Sequence, residues 1–453
     1  MSISVETPFE ELVSWLLKKA VIAIEEGKND GHLKPQKIKY FKWRLTDFEY
    51  TENGAHYTSA KGDHFEKEDW SQAQSNIYSY LCSLDVFIAL DAKIKNQFTE
   101  YDSQKLISFL DLFLLKYFKG EIKESDVDSI TKSFIKDLHN EPFECGAEVG
   151  ILGVALEIPF IDLRNGITLR QTQKSDLEIE IPEYLINHQS LDHNYPSLIM
   201  KITTLGRTAA DVQQKIWDAE AILRLFKVGS IRHKNYEFYS KSFSTQLRGR
   251  GGSLDTTQPA NIGFIKKNEI ERLRKFWDFM QEKVIVFTRL GPKTTFRHIA
   301  YQRYQDAILP RQENFERRVA DCMMGLESIF LRDGGEQQEL AYRLRMRVSR
   351  VMGKIGFDSF KIKRMIRDAY EVRSRFVHGG TLDHDGTTKL EEKYESLSKF
   401  LLQLLDILRI SIVVTLIMDI EKPKFIDLID GSFLEKKYEV ELEQILSNTR
   451  QIF

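Results

Sequence analysis

FKIKRMIRDAYEVRSRFVHGG, residues 360–380, spaces its apolar residues for a helix rather than a strand. Ala369, Val372, Phe376 and Val377 supply the stripe of an amphipathic helix, and Gly379-Gly380 is a natural stop. Two segments before it read the same way, FERRVADCMMGLESIFL (315–331) and ELAYRLRMRVSRVMG (339–353). Beyond 267 the chain is almost wholly helical, with helices expected at 268–289, 293–308, 312–332, 336–354, 358–378 and 388–420. Short joints containing Gly or Asp separate most of them, as in an antiparallel bundle. Residues 432–453 read as one more helix or a tail.

Upstream the period changes. EVGILGVALEIPFIDLRNGITLRQ (148–171) holds short β-favouring runs broken at Pro159 and at the turn dipeptide Asn165-Gly166. Strand-like SLIMKITT (197–204) precedes a helix expected at 208–227, and 230–247 is strand-like again. RGRGGSLDTTQPAN (248–261) reads as an exposed loop. At the amino terminus, 8–27, 71–97, 103–119 and 125–139 read as helices around an extended piece at 37–51. The expected class is α+β in four parts. These are a helix-rich domain (1–145), a mixed α/β sensor or regulatory region (146–266), an all-α bundle (267–430) and a carboxy-terminal helix or tail (431–453).

A chain of 453 residues is long enough to bury two or three cores. A net charge of −2 and a pI near 6.6 argue against a general polyanion binder, so any basic surface is local. Residues 311–380 carry such a bias, 15 Lys and Arg against 10 Asp and Glu. Three well-separated cysteines, Cys82, Cys145 and Cys322, argue against a disulfide framework or a zinc ribbon and fit a reducing cytoplasm. The first residues mix apolar groups with acids, unlike a secretory leader. LLQLLDILRISIVVTLIMDI (401–420) is apolar enough to pass for a membrane span, but Asp406, Arg409 and Asp419 interrupt it, so it reads as a buried core helix.

The chemistry-bearing residues cluster at the end of the opening stretch. Arg373, Arg375 and His378 lie within about two helical turns. Cleaving RNA without a metal needs a group that exchanges a proton near neutral pH and a cation facing the phosphorane-like transition state; histidine and arginine fill those roles. The RNA 2′-hydroxyl then serves as nucleophile, and no cofactor is required. Five residues at 100° each put Arg373 and His378 about 140° apart on an ideal helix. Two features would reconcile them: His378 sits at the helix end, where Gly379 frees the backbone, and a two-fold partner would bring a second copy of each residue into a shared cleft.

Other groupings carry a bland reading beside a functional one. Arg343, Arg345 and Arg347 form either an RNA-tracking ridge or ordinary surface charge. RGRGGS (248–253) lacks the Gly-Lys-Ser/Thr ending of a phosphate loop. His56, Asp63 and His64, like Asp383, His384 and Asp385, lack diagnostic metal-ligand spacing. Cys322 reads as core.

The order and spacing of 315–331, 339–353 and 360–380, with Arg373-Ser374-Arg375-Phe376-Val377-His378 as an Arg-x4-His motif, resembles the ApeA-like branch of HEPN proteins over about 297–415. The resemblance implies a HEPN-type helical bundle that dimerises through the motif helices and cleaves RNA without metal, often as a toxin or an abortive-infection effector against phage. It implies that Arg373 holds the scissile phosphate and that His378 is the general acid or base. Ser374 stands in the polar slot after the Arg, where the family more often has Asn, Asp or His. Glu327, with an orienting role, and Arg375 would support the site, and Arg343, Arg347 and Arg367 would contact RNA. The whole reading is a cytoplasmic homodimeric endoribonuclease without cofactor or metal, answering a phage-derived or nucleotide trigger and independent of membranes. The rival is a non-catalytic module that dimerises or binds RNA or a nucleotide. A nucleotidyl- or phosphotransferase ranks last, for want of a phosphate loop or a metal-carboxylate set.

Overall fold

The computed structural model describes residues 7–45, 47–57, 60–98, 101, 103–178, 180–183, 196–242, 250–252, 261–289, 294–309, 314–332 and 339–450. It is α+β: helices and a β-ribbon at the amino end, a sheet in the middle, helices to the carboxy end.

Helix α1 (Phe9–Asn29) buries Leu12, Val13, Leu16, Leu17, Ala20, Val21 and Ile24, the spacing of a one-sided helix. It packs with α2 (Ser71–Cys82), α3 (Asp85–Gln97), α4 (Ser103–Phe118) and α5 (Val127–Leu138) around a core of their own. The helix expected over 71–97 is thus two, parted at Ser83-Leu84. Strands β1 (Gln36–Leu45), β2 (Phe48–Thr51), β3 (Gly54–Tyr57) and β4 (Ala60–Asp69) fill the gap between α1 and α2, more β-structure than the sequence had indicated. Strands β1 and β4 pair antiparallel from Gln36↔Asp69 to Leu45↔Ala60.

The middle region supplies β5 (Phe143–Leu152), β6 (Val154–Leu156), β7 (Phe160–Asp162), β8 (Ile167–Gln171), α6 (Lys174–Leu177), β9 (Glu180–Pro182), β10 (Leu198–Gly206), α7 (Ala209–Phe226), β11 (Arg232–Ser240), β12 (Arg250–Gly252) and β13 (Gly263–Ile265). Six of these strands form one antiparallel sheet in the order β12-β11-β5-β10-β8-β7. The Asn165-Gly166 turn joins β7 to β8, with φ of +67° at Arg164, +49° at Asn165 and +76° at Gly166. Strand β9 leaves this sheet and pairs with β1, tying the middle region to the amino-terminal ribbon. Helix α7 lies on the sheet, capped by Thr208, whose hydroxyl accepts from the Asp211 amide.

The remainder is helical: α8 (Ile270–Met280), α9 (Ile285–Thr288), α10 (Phe296–Ile308), α11 (Phe315–Phe330), α12 (Leu340–Ile355), α13 (Ser359–Val377), α14 (His384–Tyr394), α15 (Leu397–Met418), α16 (Lys422–Gly431) and α17 (Lys436–Arg450). The helices expected at 268–289 and 388–420 are each divided, the second where Glu395 takes φ +69° and Ser396 caps α15. Helix α16 had not been foreseen. One contiguous core runs from Cys145 to Leu446, joining the sheet, α7 and the bundle across the junction expected at 266/267.

Helix α15 is the one helix among the described residues long and apolar enough to cross a membrane, and most of its apolar stretch is buried inside the protein. Its Arg409 is buried with it. Nη1 of Arg409 donates to the carbonyls of Leu225 and Phe226, at 2.5 and 3.0 Å, capping the carboxy end of α7 with a positive charge.

Candidate functional site

Helix α13 is built from its ends inward. Asp358 starts it, its Oδ1 accepting from the amides of Phe360 and Lys361 at 2.9 and 3.1 Å. Ile362, Met365, Ile366, Ala369 and Val372 face the core, against α11 and α12. The expected stripe fades at its end: Phe376 is half-buried and Val377 exposed. The stop is as expected. The amide of Gly379 donates to the Phe376 carbonyl and that of Gly380 to the Arg375 carbonyl, at 3.0 and 2.9 Å, a Schellman turn made possible by φ of +80° at Gly379. His378 is the last residue before that turn and is exposed.

Arg373 is half-buried on the side of α13 that meets α11. Its Nη2 stands 3.4 Å from Oε2 of Glu327, its guanidinium lies 5.7 Å from the Tyr370 ring centroid, and its enclosed Nε has no hydrogen-bond partner among the described residues. Burial pushes the Glu327 carboxyl above the ordinary carboxylate range, and Arg373 only partly offsets this. The sequence-predicted pair Glu327 and Arg373 is therefore brought together, whereas Arg373 and His378 do not share a face within one chain. Ser374 is half-buried, and its carbonyl accepts the His378 amide at 3.2 Å. Arg375 is exposed and stands 3.6 Å from Asp383.

The three arginines expected to contact RNA separate. Arg367 is exposed and donates from Nε and Nη2 to Oδ1 of Asp368, at 3.1 and 3.0 Å. Arg343 is half-buried on α12. Arg347 is a correction: it is buried, its Nε and Nη2 grip both carboxylate oxygens of Asp430 at 2.8 and 2.7 Å, and its Nη1 donates to the Phe330 carbonyl at 2.9 Å. A guanidinium so committed fastens α12 to α11 and α16 and is not offered to a ligand.

Sequence reasoning missed a cleft of about 380 Å³ between α13 and α14, lined among others by Arg367, Glu371, Arg375, Asp385, Lys389 and Lys393. Its base is Asp368, buried, with its Oδ2 accepting from the Tyr394 hydroxyl at 2.8 Å and from Lys393. The only signal was charge density, which merging α14 into one long helix obscured.

The remaining candidates have other roles. Asp383 caps α14, its Oδ1 accepting from the Gly386 amide at 2.7 Å, and His384 is that helix's first residue. Asp63 pairs with Arg44, His64 meets the Phe41 ring edge-on, and His56 lies in β3. Arg250–Gly252 of RGRGGS form β12, while most of the loop expected at 248–261 lies outside the described residues. Cys145 and Cys322 are buried, with burial pushing the Cys145 thiol up to about 11, and Cys82 is half-buried. Comparison with protein families, with curated proteins and with solved structures returns no match.

Proposed function

We propose that the chain is a metal-independent endoribonuclease of the HEPN type, whose reacting groups are His378 and Arg373 in a cleft completed by a second copy of the chain. The observation that carries this reading is the end of α13. A turn needing Gly379 leaves an imidazole exposed there, open to a substrate and to a second copy of the chain. In the reaction one imidazole takes the proton of the RNA 2′-hydroxyl as its oxygen attacks phosphorus. The phosphorus bond to the 5′-oxygen breaks, and a protonated group, the second imidazole of the dimer, returns a proton to that oxygen. The products are a 2′,3′-cyclic phosphate and a 5′-hydroxyl, and an arginine neutralises charge on the non-bridging oxygens. No step requires a metal.

The toxin or anti-phage role, cytoplasmic location and trigger sensing by residues 1–266 rest on the resemblance of about 297–415 to the ApeA-like branch, which is fold-level analogy. Mapping RNA ends after expression of the wild type beside His378→Ala tests the cleavage reading. Cyclic-phosphate ends confined to the wild type and persisting in EDTA are expected, and identical end maps overturn it. A specific observation favours a second reading. Arg373 is turned to Glu327, about 140° from His378, as in a module that binds RNA or a nucleotide and does not cut.

A further inference from the structure

The cleft between α13 and α14 opens on the His378 side of α13, not on the Arg373 side. At helical spacing Arg367, Glu371, Arg375 and His378 follow one another at steps of four, four and three residues, so their side chains adjoin along one ridge. All four are exposed. The ridge continues backward through Arg364 and Lys361, also exposed, and no ion pair engages either among the described residues. From Lys361 to His378 it is about 26 Å long at 1.5 Å per residue.

The cleft's charges divide into committed and available groups. Asp368 is taken up by Arg367, Lys393 and Tyr394. Asp383 is taken up by the start of α14, and its 3.6 Å approach to Arg375 joins two exposed groups, a contact that water weakens to little. Arg375 and Lys389, both of which face exposed Asp383, are accessible cations, and Glu371 and Asp385 are exposed carboxylates on the same walls. A surface for phosphate alone would not carry the carboxylates. Cations for a phosphate and acceptors for the amino groups of a base, in about 380 Å³, suit one nucleotide. An unpaired strand is required, because pairing hides the base edges that such acceptors read.

We propose that this cleft holds one nucleotide of single-stranded RNA next to the scissile phosphate, its phosphate on Arg375 and Lys389 and its base edge on Glu371 and Asp385. Arg364 and Lys361 carry the strand onward. The proposal takes its setting from the cleavage reading, but its test does not depend on cleavage. The full chain carrying His378→Ala is titrated with labelled single-stranded oligoribonucleotides, followed by fluorescence anisotropy over a range of salt. Reversing both cations, Arg375→Glu with Lys389→Glu, is expected to weaken binding about tenfold or more and to flatten the salt dependence by the share of one phosphate contact. Arg375→Lys keeps the charge and retains binding within a few-fold, which separates charge loss from misfolding. Glu371→Gln with Asp385→Asn shifts the preferred base in a randomised pool. Equal affinity before and after the double reversal overturns the proposal, as does duplex RNA competing as well as single strands. Binding through the cleft by a protein that never cuts when His378 is present leaves the cleft standing and removes the nuclease.

Discussion

Nη2 of Arg373 lies 3.4 Å from Oε2 of Glu327, a contact that ties α13 to α11 directly behind the helix end bearing His378. Both groups are about three-quarters buried, with side-chain exposures of 25 and 21%. Truncating Glu327 to Ala leaves a largely buried guanidinium without its counter-charge. The expected cost is about 1–2 kcal/mol, between exposed and fully buried pairs, read by urea unfolding. Glu327→Gln also removes the charge but keeps the shape and an oxygen that can accept from Arg373, so it should cost less than the Ala variant. An equal or larger loss would place the role of Glu327 in its charge.

Gly379→Ala forces a side chain into φ of +80° and should cost about 1 kcal/mol through the end of α13. Since the turn fixes where His378 sits, RNA cleavage should fall further than stability does. His378→Ala should reverse that order, leaving the unfolding midpoint within about half a kcal/mol of wild type, because the side chain is exposed, while abolishing cleavage.

Arg347→Met should destabilise by about 2–3 kcal/mol, since it strips a bidentate partner from Asp430 and a donor from the Phe330 carbonyl. The reach of Asp430 into solvent keeps the loss below that of a fully enclosed pair. Chemical denaturation measures it. RNA affinity of the folded fraction should not change; a lower affinity would return Arg347 to the ligand surface.

His233 gives a pH signature outside the site. Its Nδ1 lies 2.7 Å from Oε1 of buried Glu220, which raises the imidazole above its ordinary 6.5, while burial and Arg224 oppose the rise. The charged form is thus favoured in the folded state. Its contribution is fully present below pH 6.5 and fades as pH climbs through the raised value. Thermal midpoints taken from pH 6 to 9 should decline across that window, and His233→Gln should flatten the decline. An unchanged slope would assign the pH dependence to other groups.

The legible parts of the fold are those written in local spacing. The period of 360–380 and its Gly-Gly stop mark α13, and Asn165-Gly166 marks the turn between β7 and β8. KPKFIDLIDG was too short to announce α16, and EEKYESLSKF reads as unbroken helix because only Ser396, capping α15, betrays the break. AKGDHFEKED hides β4, since charge on both faces of an exposed ribbon leaves no apolar alternation to detect. For the site, the Arg373–His378 spacing was readable, and so was the conflict in their directions. What Arg373 turns toward was not, nor was the grip of Arg347 on Asp430, 83 positions away, because such partners are set by packing rather than by period.

The core that runs unbroken from Cys145 to Leu446, with Arg409 closing the end of α7, bears on how such a protein can be divided. A cut at the loop before residue 267 passes through shared hydrophobic contacts, and it would strand Arg409 without the carbonyls that satisfy it. The helical half is consequently not a cassette to be lifted out and grafted elsewhere.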